Sequence, residues 1–107
     1  MSYSVKTIEV FERQAKRLIK KYPSLKREIA ELITSLKEHP EQGAALGNHC
    51  YKIRLAISSK GKGKSGGARV ITNIVITETT VYLLSIFDKS EKENLTDKEL
   101  RELLSRI

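Results

Sequence analysis

Between Gln42 and Thr77 the chain has no Asp or Glu, yet it carries Lys52, Arg54, Lys60, Lys62, Lys64 and Arg69. At the centre of this stretch, Tyr51-Lys52-Ile53-Arg54-Leu55-Ala56-Ile57-Ser58 alternates cleanly between apolar residues and others. Strand side chains have period two. Tyr51, Ile53, Leu55 and Ile57 therefore point one way, and Lys52, Arg54 and Ala56 the other. Such a run calls for a sheet with one face on a core and one face bearing cations. Lys52 and Arg54 then stand about 7 Å apart along the strand, a spacing suited to two contacts on a phosphate backbone.

The neighbouring segments supply the rest of that sheet and its cover. After a loop from Ser59 to Gly67, Arg69 to Thr77 reads as a strand rich in Val, Ile and Thr. Glu78-Thr79-Thr80 turns the chain into a last strand, Val81 to Phe87. Both are apolar on two faces, as interior strands are. At the other end, Ser2 to Ile8 alternates weakly and reads as a short first strand, with Thr7 expected to cap the helix that follows. Phe11, Ala15, Leu18, Ile19 and Tyr22 form one helical face, and Pro23 stops that helix. Ser24 is expected to cap a second helix with the stripe Leu25, Ile29, Leu32, Ile33 and Leu36, running to His39 before Pro40. Glu41 to Cys50 reads as a loop marked by Gly43 and Gly47. Thr96-Asp97-Lys98-Glu99 has the capping-box pattern and opens a short helix presenting Leu100, Leu103, Leu104 and Ile107. The order is β-α-α-β-β-β-α. It predicts one α+β domain over residues 1–107, in which the N-terminal strand and a helical hairpin pack on a twisted antiparallel β-sheet and a short C-terminal helix closes the chain. The hairpin covers one sheet face, leaving open the face that bears Lys52 and Arg54.

Charge is unevenly spread. The formal net charge is +7. A second acid-free patch, Arg13, Lys16, Arg17, Lys20, Lys21, Lys26 and Arg27, lies on the two helices, and all the acids fall outside the two patches. Polyanions are the natural partners of such patches, a solvated surface being the competing reading. No apolar run approaches the ~18 residues of a membrane span, and MSYSVKTIEVFERQ lacks the apolar centre of a signal peptide. Cys50 is the sole cysteine and has no internal disulfide partner, which fits a reducing cytoplasm.

Several motifs sharpen the choice. Ser58 to Ser65 nearly spells a phosphate-binding P-loop, but Ser58 replaces its first glycine. A β-run also follows, where the motif needs a helix N-terminus facing the phosphates, so the nucleotide-hydrolase reading is set aside. The loop reads instead as a cationic flap whose Lys60, Lys62 and Lys64 grip a nucleic-acid backbone, or as a loop kept soluble by lysines. Arg69 follows two glycines, which permit close approach of a ligand, and its guanidinium can clasp a phosphate. Its alternative is an ion pair with a C-terminal acid. His39 at a helix end is read as structural. His49 precedes the cationic strand, either reaching toward RNA or simply exposed. Beside Cys50 it lacks the further ligands of a metal site, so no metal or cofactor is expected. Tyr82 is core or a base-stacking platform.

Taken together these residues resemble the RelE/ParE superfamily of bacterial type II toxins, including its RelE- and HigB-like branches, over nearly the whole chain. The likeness is carried by Phe11-x-x-x-x-Lys16-x-Leu18 with Lys20-Lys21-Tyr22-Pro23, and by Tyr51-Lys52-Ile53-Arg54. It continues through Ser59-Lys60-Gly61 and Gly66-Gly67-Ala68-Arg69-Val70-Ile71 to Val81-Tyr82-Leu83-Leu84 and Phe87-Asp88-Lys89-Ser90. The resemblance implies the fold above and a toxin that cleaves mRNA on the ribosome by attack of the RNA 2′-hydroxyl. It also implies neutralisation by a cognate antitoxin. Lys52, Arg54, Arg69 and Lys89 match the family's cationic catalytic site. The chain departs from the family at Glu91 to Leu95, where the late tyrosine of RelE-type members has no counterpart, and the late histidine of some related toxins is absent too. The base role then falls to Lys52, because neighbouring positive charge disfavours its charged form. The patch from Arg13 to Arg27, away from that site, is expected to dock on ribosomal RNA. The antitoxin, acidic in part, is expected to cover the sheet or displace the last helix, Thr96 to Ile107, which would be marginal alone. A ParE-like DNA gyrase inhibitor and an RNA-binding module without chemistry are the two other functions weighed. ParE-like members generally lack the full cationic set, and the missing tyrosine argues for the second.

Overall fold

The computed structural model describes residues 2–61, 63 and 66–107. Lys62 and Lys64 of the expected flap lie outside the described residues. In chain order the elements are β1 (Ser4–Thr7), α1 (Glu9–Lys21), α2 (Leu25–Glu38), β2 (Ala44–Gly47), β3 (Cys50–Leu55), β4 (Ala68–Val75), β5 (Thr80–Asp88) and α3 (Asp97–Leu104). The strands form one sheet in the order β1-β5-β4-β3-β2. The expected α+β architecture is present, with two differences. β1 joins the edge parallel to β5, with Ser4 opposite Thr80 and Thr7 opposite Leu83, so the sheet is mixed. No tight turn connects these two strands, so nothing imposes the antiparallel direction that a hairpin would.

The second difference is β2, which falls in the segment read as a loop. It pairs antiparallel with β3 through a two-residue turn at Asn48 and His49, both with positive φ (53° and 59°). That is the turn geometry whose twist matches a hairpin. The buried Asn73 carboxamide donates to the carbonyls of Asn48 at 2.9 Å and His49 at 3.4 Å and holds the turn from β4. Every residue of β2 is exposed, so no burial pattern marks it in the sequence. Gly43 leads into it with φ +90°, and a Cβ there would lie 2.2 Å from the Lys52 carbonyl oxygen.

The two helical stripes behave as their spacing predicts. Phe11, Ala15 and Leu18 of α1 and Leu25, Ile29, Leu32 and Leu36 of α2 are buried in one core with Ile53, Val70 and Ile86. Those last three stand opposite one another on β3, β4 and β5. Where β1 ends, the free edge of β5 is satisfied from α1: the Gln14 side-chain oxygen accepts from the Ile86 amide at 3.0 Å and the Ser85 hydroxyl at 2.9 Å.

The helix starts are mixed. α3 opens with the expected capping box, Glu99 N–H donating to Thr96 Oγ1 at 3.1 Å and Thr96 N–H to Glu99 Oε1 at 2.9 Å. Thr7 does not cap α1. Ile8 holds the cap position, and the Thr7 hydroxyl donates to the Glu12 carboxylate. Ser24 stands at the start of α2 but its side chain is spent elsewhere, accepting from the Ser59 amide at 2.9 Å while the Ser24 amide donates to Ser59 Oγ at 2.8 Å. Beside this pair, the buried Glu28 carboxylate accepts from the Ser58 amide at 2.8 Å and hydroxyl at 2.7 Å. Ser58–Lys60 is a single 3₁₀ turn, so the segment after β3 is anchored to the start of α2. No helix among the described residues is long and apolar enough to cross a membrane.

Asp88, at the end of β5, is fully buried. Its carboxylate accepts from Lys60 Nζ at 2.5 Å, Tyr22 Oη at 3.0 Å, the Ser90 amide at 3.0 Å and the Ser90 hydroxyl at 2.8 Å. Burial pushes its pKa up, but the Lys60 ammonium, both Ser90 donors and the Tyr22 hydroxyl together hold it well below the usual carboxylate range. Removing one partner of a buried ion pair strands the other, so Asp88→Asn is expected to cost about 3–5 kcal/mol of unfolding free energy at pH 7, measured by denaturant titration. Because the folded pKa is depressed, the contribution of Asp88 is complete above its unfolded value near about 3.9 and disappears as pH falls toward the folded value. The wild type is expected to lose this stability in acid below about pH 4, and the Asn variant to lack that component.

Candidate functional site at the cationic sheet face

Alternation along β3 and the register of the sheet bring the cations together. Arg54 stands directly opposite Arg69 across the β3–β4 ladder, and Arg69 in turn opposite Phe87 on β5. Lys52 lies two residues before Arg54 and so on the same face. At the end of β5 the Lys89 amide donates to the Gly67 carbonyl at 3.1 Å. This extends the β4–β5 ladder one rung and keeps Lys89 at the head of β4. Register thus sets Arg54 beside Arg69, with Lys52 two residues back along β3 and Lys89 just past the end of β5.

Arg54 is exposed, whereas Arg69 is 4% exposed. The Arg69 guanidinium donates to the Ala68 carbonyl at 3.1 Å. Burial lowers its pKa, the charge of Arg54 lowers it further, and Glu93 acts in the opposite direction. Two arginines in cross-strand register, one exposed and one buried, form a donor-rich spot suited to an anion.

The face opposite the helical hairpin is not open throughout, as the alternation alone had suggested. Lys52 Nζ donates to Asn94 Oδ1 at 2.8 Å, which ties the segment after β5 across β3. Leu100 and Leu103 of α3 are buried. The same segment carries Glu91, which accepts from Arg17 at 3.1 Å, and Lys92, which pairs with Glu99.

The remaining sequence-predicted residues divide. Lys60 does not reach out as a flap: its side chain is 10% exposed, paired with Asp88, and its ammonium lies 5.7 Å from the Tyr22 ring centre. The mobile loop predicted from its glycines and lysines is thus pinned at its first lysine. His49 lies at the β2–β3 turn, the opposite end of β3 from Arg54 and about 17 Å away by strand rise, so it does not join the cluster. The close approach at Gly67, two residues before Arg69, is to the protein's own backbone. A Cβ on Gly67 would lie 2.1 Å from the Leu55 carbonyl oxygen, so its closeness is to β3 itself. Tyr82 is half-buried and donates to Glu78 at 3.2 Å.

Arg13, Lys16, Arg17 and Lys20 form an exposed stripe on α1 by their three- and four-residue spacing, and Lys21, Lys26 and Arg27 are exposed nearby. Arg13 pairs with Glu9 at 2.7 Å and Arg27 with Glu31 at 3.9 Å. The patch is less remote from the sheet site than expected, because Arg17 meets Glu91 of the segment that crosses β3. Sequence reasoning gave no role to Asp88 or Asn94. For Asp88 one signal existed: an aspartate two residues before a serine at a strand end makes the side-chain turn seen at Ser90.

This chain matches the family model described as the RelE toxin of the RelE/RelB toxin–antitoxin system over residues 5–106. It belongs to the RelE toxin family, the toxin half of a type II toxin–antitoxin pair. Among solved structures it is similar to the free form of an Escherichia coli RelE carrying two arginine-to-alanine changes. The TM-score is 0.63 at 20% identity, covering 100% of this chain and 99% of that one. A chain of the Mycobacterium tuberculosis RelBE2 toxin–antitoxin complex aligns with TM-score 0.61 at 17% identity, covering 82% and 99%. The E. coli mutant in complex with an antitoxin peptide aligns with TM-score 0.59 at 19% identity, covering 100% and 99%. At these identities the structures speak for the fold.

Since Gly67 sets the approach of β4 to β3, Gly67→Ala is expected to destabilise the protein by about 1–3 kcal/mol. It should also displace Arg69, two residues on. Thermal unfolding and amide shifts along β3 and β4 check this.

Proposed function

We propose that this toxin is a ribosome-dependent mRNA endoribonuclease that inhibits translation in the cytoplasm. The observation that carries the reading is the cross-strand pair of exposed Arg54 and buried Arg69, with Lys52 beside it and Lys89 at the strand end. Cleavage by the RNA 2′-hydroxyl needs a held phosphate, charge stabilisation on it and proton transfer at both oxygens. Arg54 and Arg69 hold and stabilise the phosphate, while Lys52 and Lys89 add positive charge around it. The gyrase-inhibitor reading gives no role to two opposed guanidinium groups.

The partners on this reading are mRNA, the ribosome and a cognate antitoxin. Antitoxin chains or peptides accompany the similar toxins in two of the structures above, which supports an antitoxin here. The α1 stripe with Lys21, Lys26 and Arg27 is the proposed contact to ribosomal RNA, and the antitoxin covers the sheet or displaces α3.

Induced expression is expected to arrest growth and to cut mRNA in a translating extract. Arg54→Ala should slow cleavage on the order of 10²- to 10³-fold, as loss of one transition-state donor does. Being exposed, it should leave unfolding free energy within about 0.5 kcal/mol of wild type. Unimpaired cleavage by this variant would count against the site. Charge reversal of Arg13, Lys16 and Lys20 is expected to weaken ribosome binding and flatten its salt dependence by about 0.7–0.9 in log–log slope per lost phosphate contact. Antitoxin binding should persist.

A further inference from the structure

We propose that Ser90 is a positioning residue for Lys89, and that together with Asp88 it builds the turn that presents Lys89 to a phosphate held at Arg69. The inference rests on the nuclease reading above and says how one of its cations is kept in place. The β4–β5 register sets Arg69 opposite Phe87 and Ala68 opposite Asp88. One rung further, the Lys89 amide donates to the Gly67 carbonyl at 3.1 Å. Period two carries the face of Phe87 on to Lys89, so Lys89 stands diagonal to Arg69 across the ladder. Diagonal neighbours lie about 7–8 Å apart, within reach of a long side chain. Gly67, directly opposite Lys89, has no side chain to come between them.

Lys89 lies just past the end of β5, where a connecting segment is ordinarily the looser part of a chain. Here the backbone is tied on both sides of it. The Asp88 carbonyl accepts from the Glu91 and Lys92 amides, both at 3.0 Å. The Asp88 carboxylate reaches over Lys89 to Ser90, with Oδ1 accepting from the Ser90 amide at 3.0 Å and its hydroxyl at 2.8 Å. The same oxygen accepts from Lys60 Nζ at 2.5 Å, and Oδ2 from the Tyr22 hydroxyl at 3.0 Å. Asp88 is fully buried, so the carboxylate has no water to turn to and stays where these donors hold it. Ser90 is exposed, yet its hydroxyl is spent on that carboxylate. The Lys89 ammonium has no partner among the described residues. A lysine whose backbone is fixed and whose charge is uncommitted meets a phosphate with little left to order, and a misplacement of about 1 Å in such a group can cost about 10²-fold in rate.

The competing account is that Ser90 only finishes the strand, and a double-mutant cycle separates the two. In a translating extract with a defined mRNA, Lys89→Ala is expected to cleave on the order of 10²-fold more slowly. Ser90→Ala should cleave on the order of 10-fold more slowly with KM unchanged. The double variant should be no slower than Lys89→Ala alone, because Ser90 acts through Lys89. Ser90→Thr keeps the hydroxyl and should keep the rate. In Ser90→Ala the Lys89 amide should exchange faster with solvent deuterium, while the Val70 and Ile86 amides keep their wild-type protection. Loss of protection at those core amides as well would make Ser90 merely structural and overturn the inference. A wild-type rate in Ser90→Ala or in Lys89→Ala, or losses that multiply in the double variant, would overturn it too and leave the nuclease reading standing on Arg54. A wild-type chain that binds the ribosome but leaves mRNA intact would overturn both.

Discussion

The Asp88 carboxylate is the point on which the arrangement of this toxin turns. A buried charge is costly unless paired and fully hydrogen-bonded. Here the donors come from Tyr22 at the end of α1, Lys60 in the 3₁₀ turn after β3, and Ser90 just beyond β5. Satisfying one carboxylate therefore fixes three parts of the chain against each other. It also anchors the residue next to Lys89 and the strand that carries Phe87 opposite Arg69. The reciprocal Ser24–Ser59 pair and the Glu28–Ser58 contacts reinforce the same junction between helices and sheet.

Function and stability are divided between the two faces of the sheet. On the helical face, Ile53, Val70 and Ile86 build the core, Asp88 pairs with Lys60, and Glu28 accepts hydrogen bonds from Ser58 and Ser24. On the other face positive charge is left in excess. Arg54 and Arg69 oppose each other by register, and burial of Arg69 makes their repulsion matter more than it would in water. Lysines that look alike in the sequence thus have different duties. Lys60 offsets a buried acid, and Lys52 meets the segment that returns across the sheet.

That returning segment changes how the site is understood. After β5 the chain turns back with Glu91 on Arg17 and Asn94 on Lys52. It links the basic stripe of α1 to Lys52 on the sheet.

The sequence by itself determined the elements that write a strong local pattern. These are the two helices with their 3.6-residue stripes and proline stops, the alternating β3, the apolar β4 and β5, and the α3 capping box. Period two also put Lys52 and Arg54 on one face, the glycines ahead of Arg69 marked it as a phosphate ligand, and the family resemblance added Lys89. Tertiary structure decided what depends on contacts distant in the chain. β2 is exposed on all its residues and exists only because β3 offers it an edge. β1 lies parallel because no turn binds it to β5. Thr7 and Ser24 lose their expected caps to Glu12 and Ser59. The duties of Lys60 and His49 were set by where Asp88 and the β2–β3 turn lie, because a side chain's role follows from its partners, and partners across a fold leave no periodic trace in the sequence.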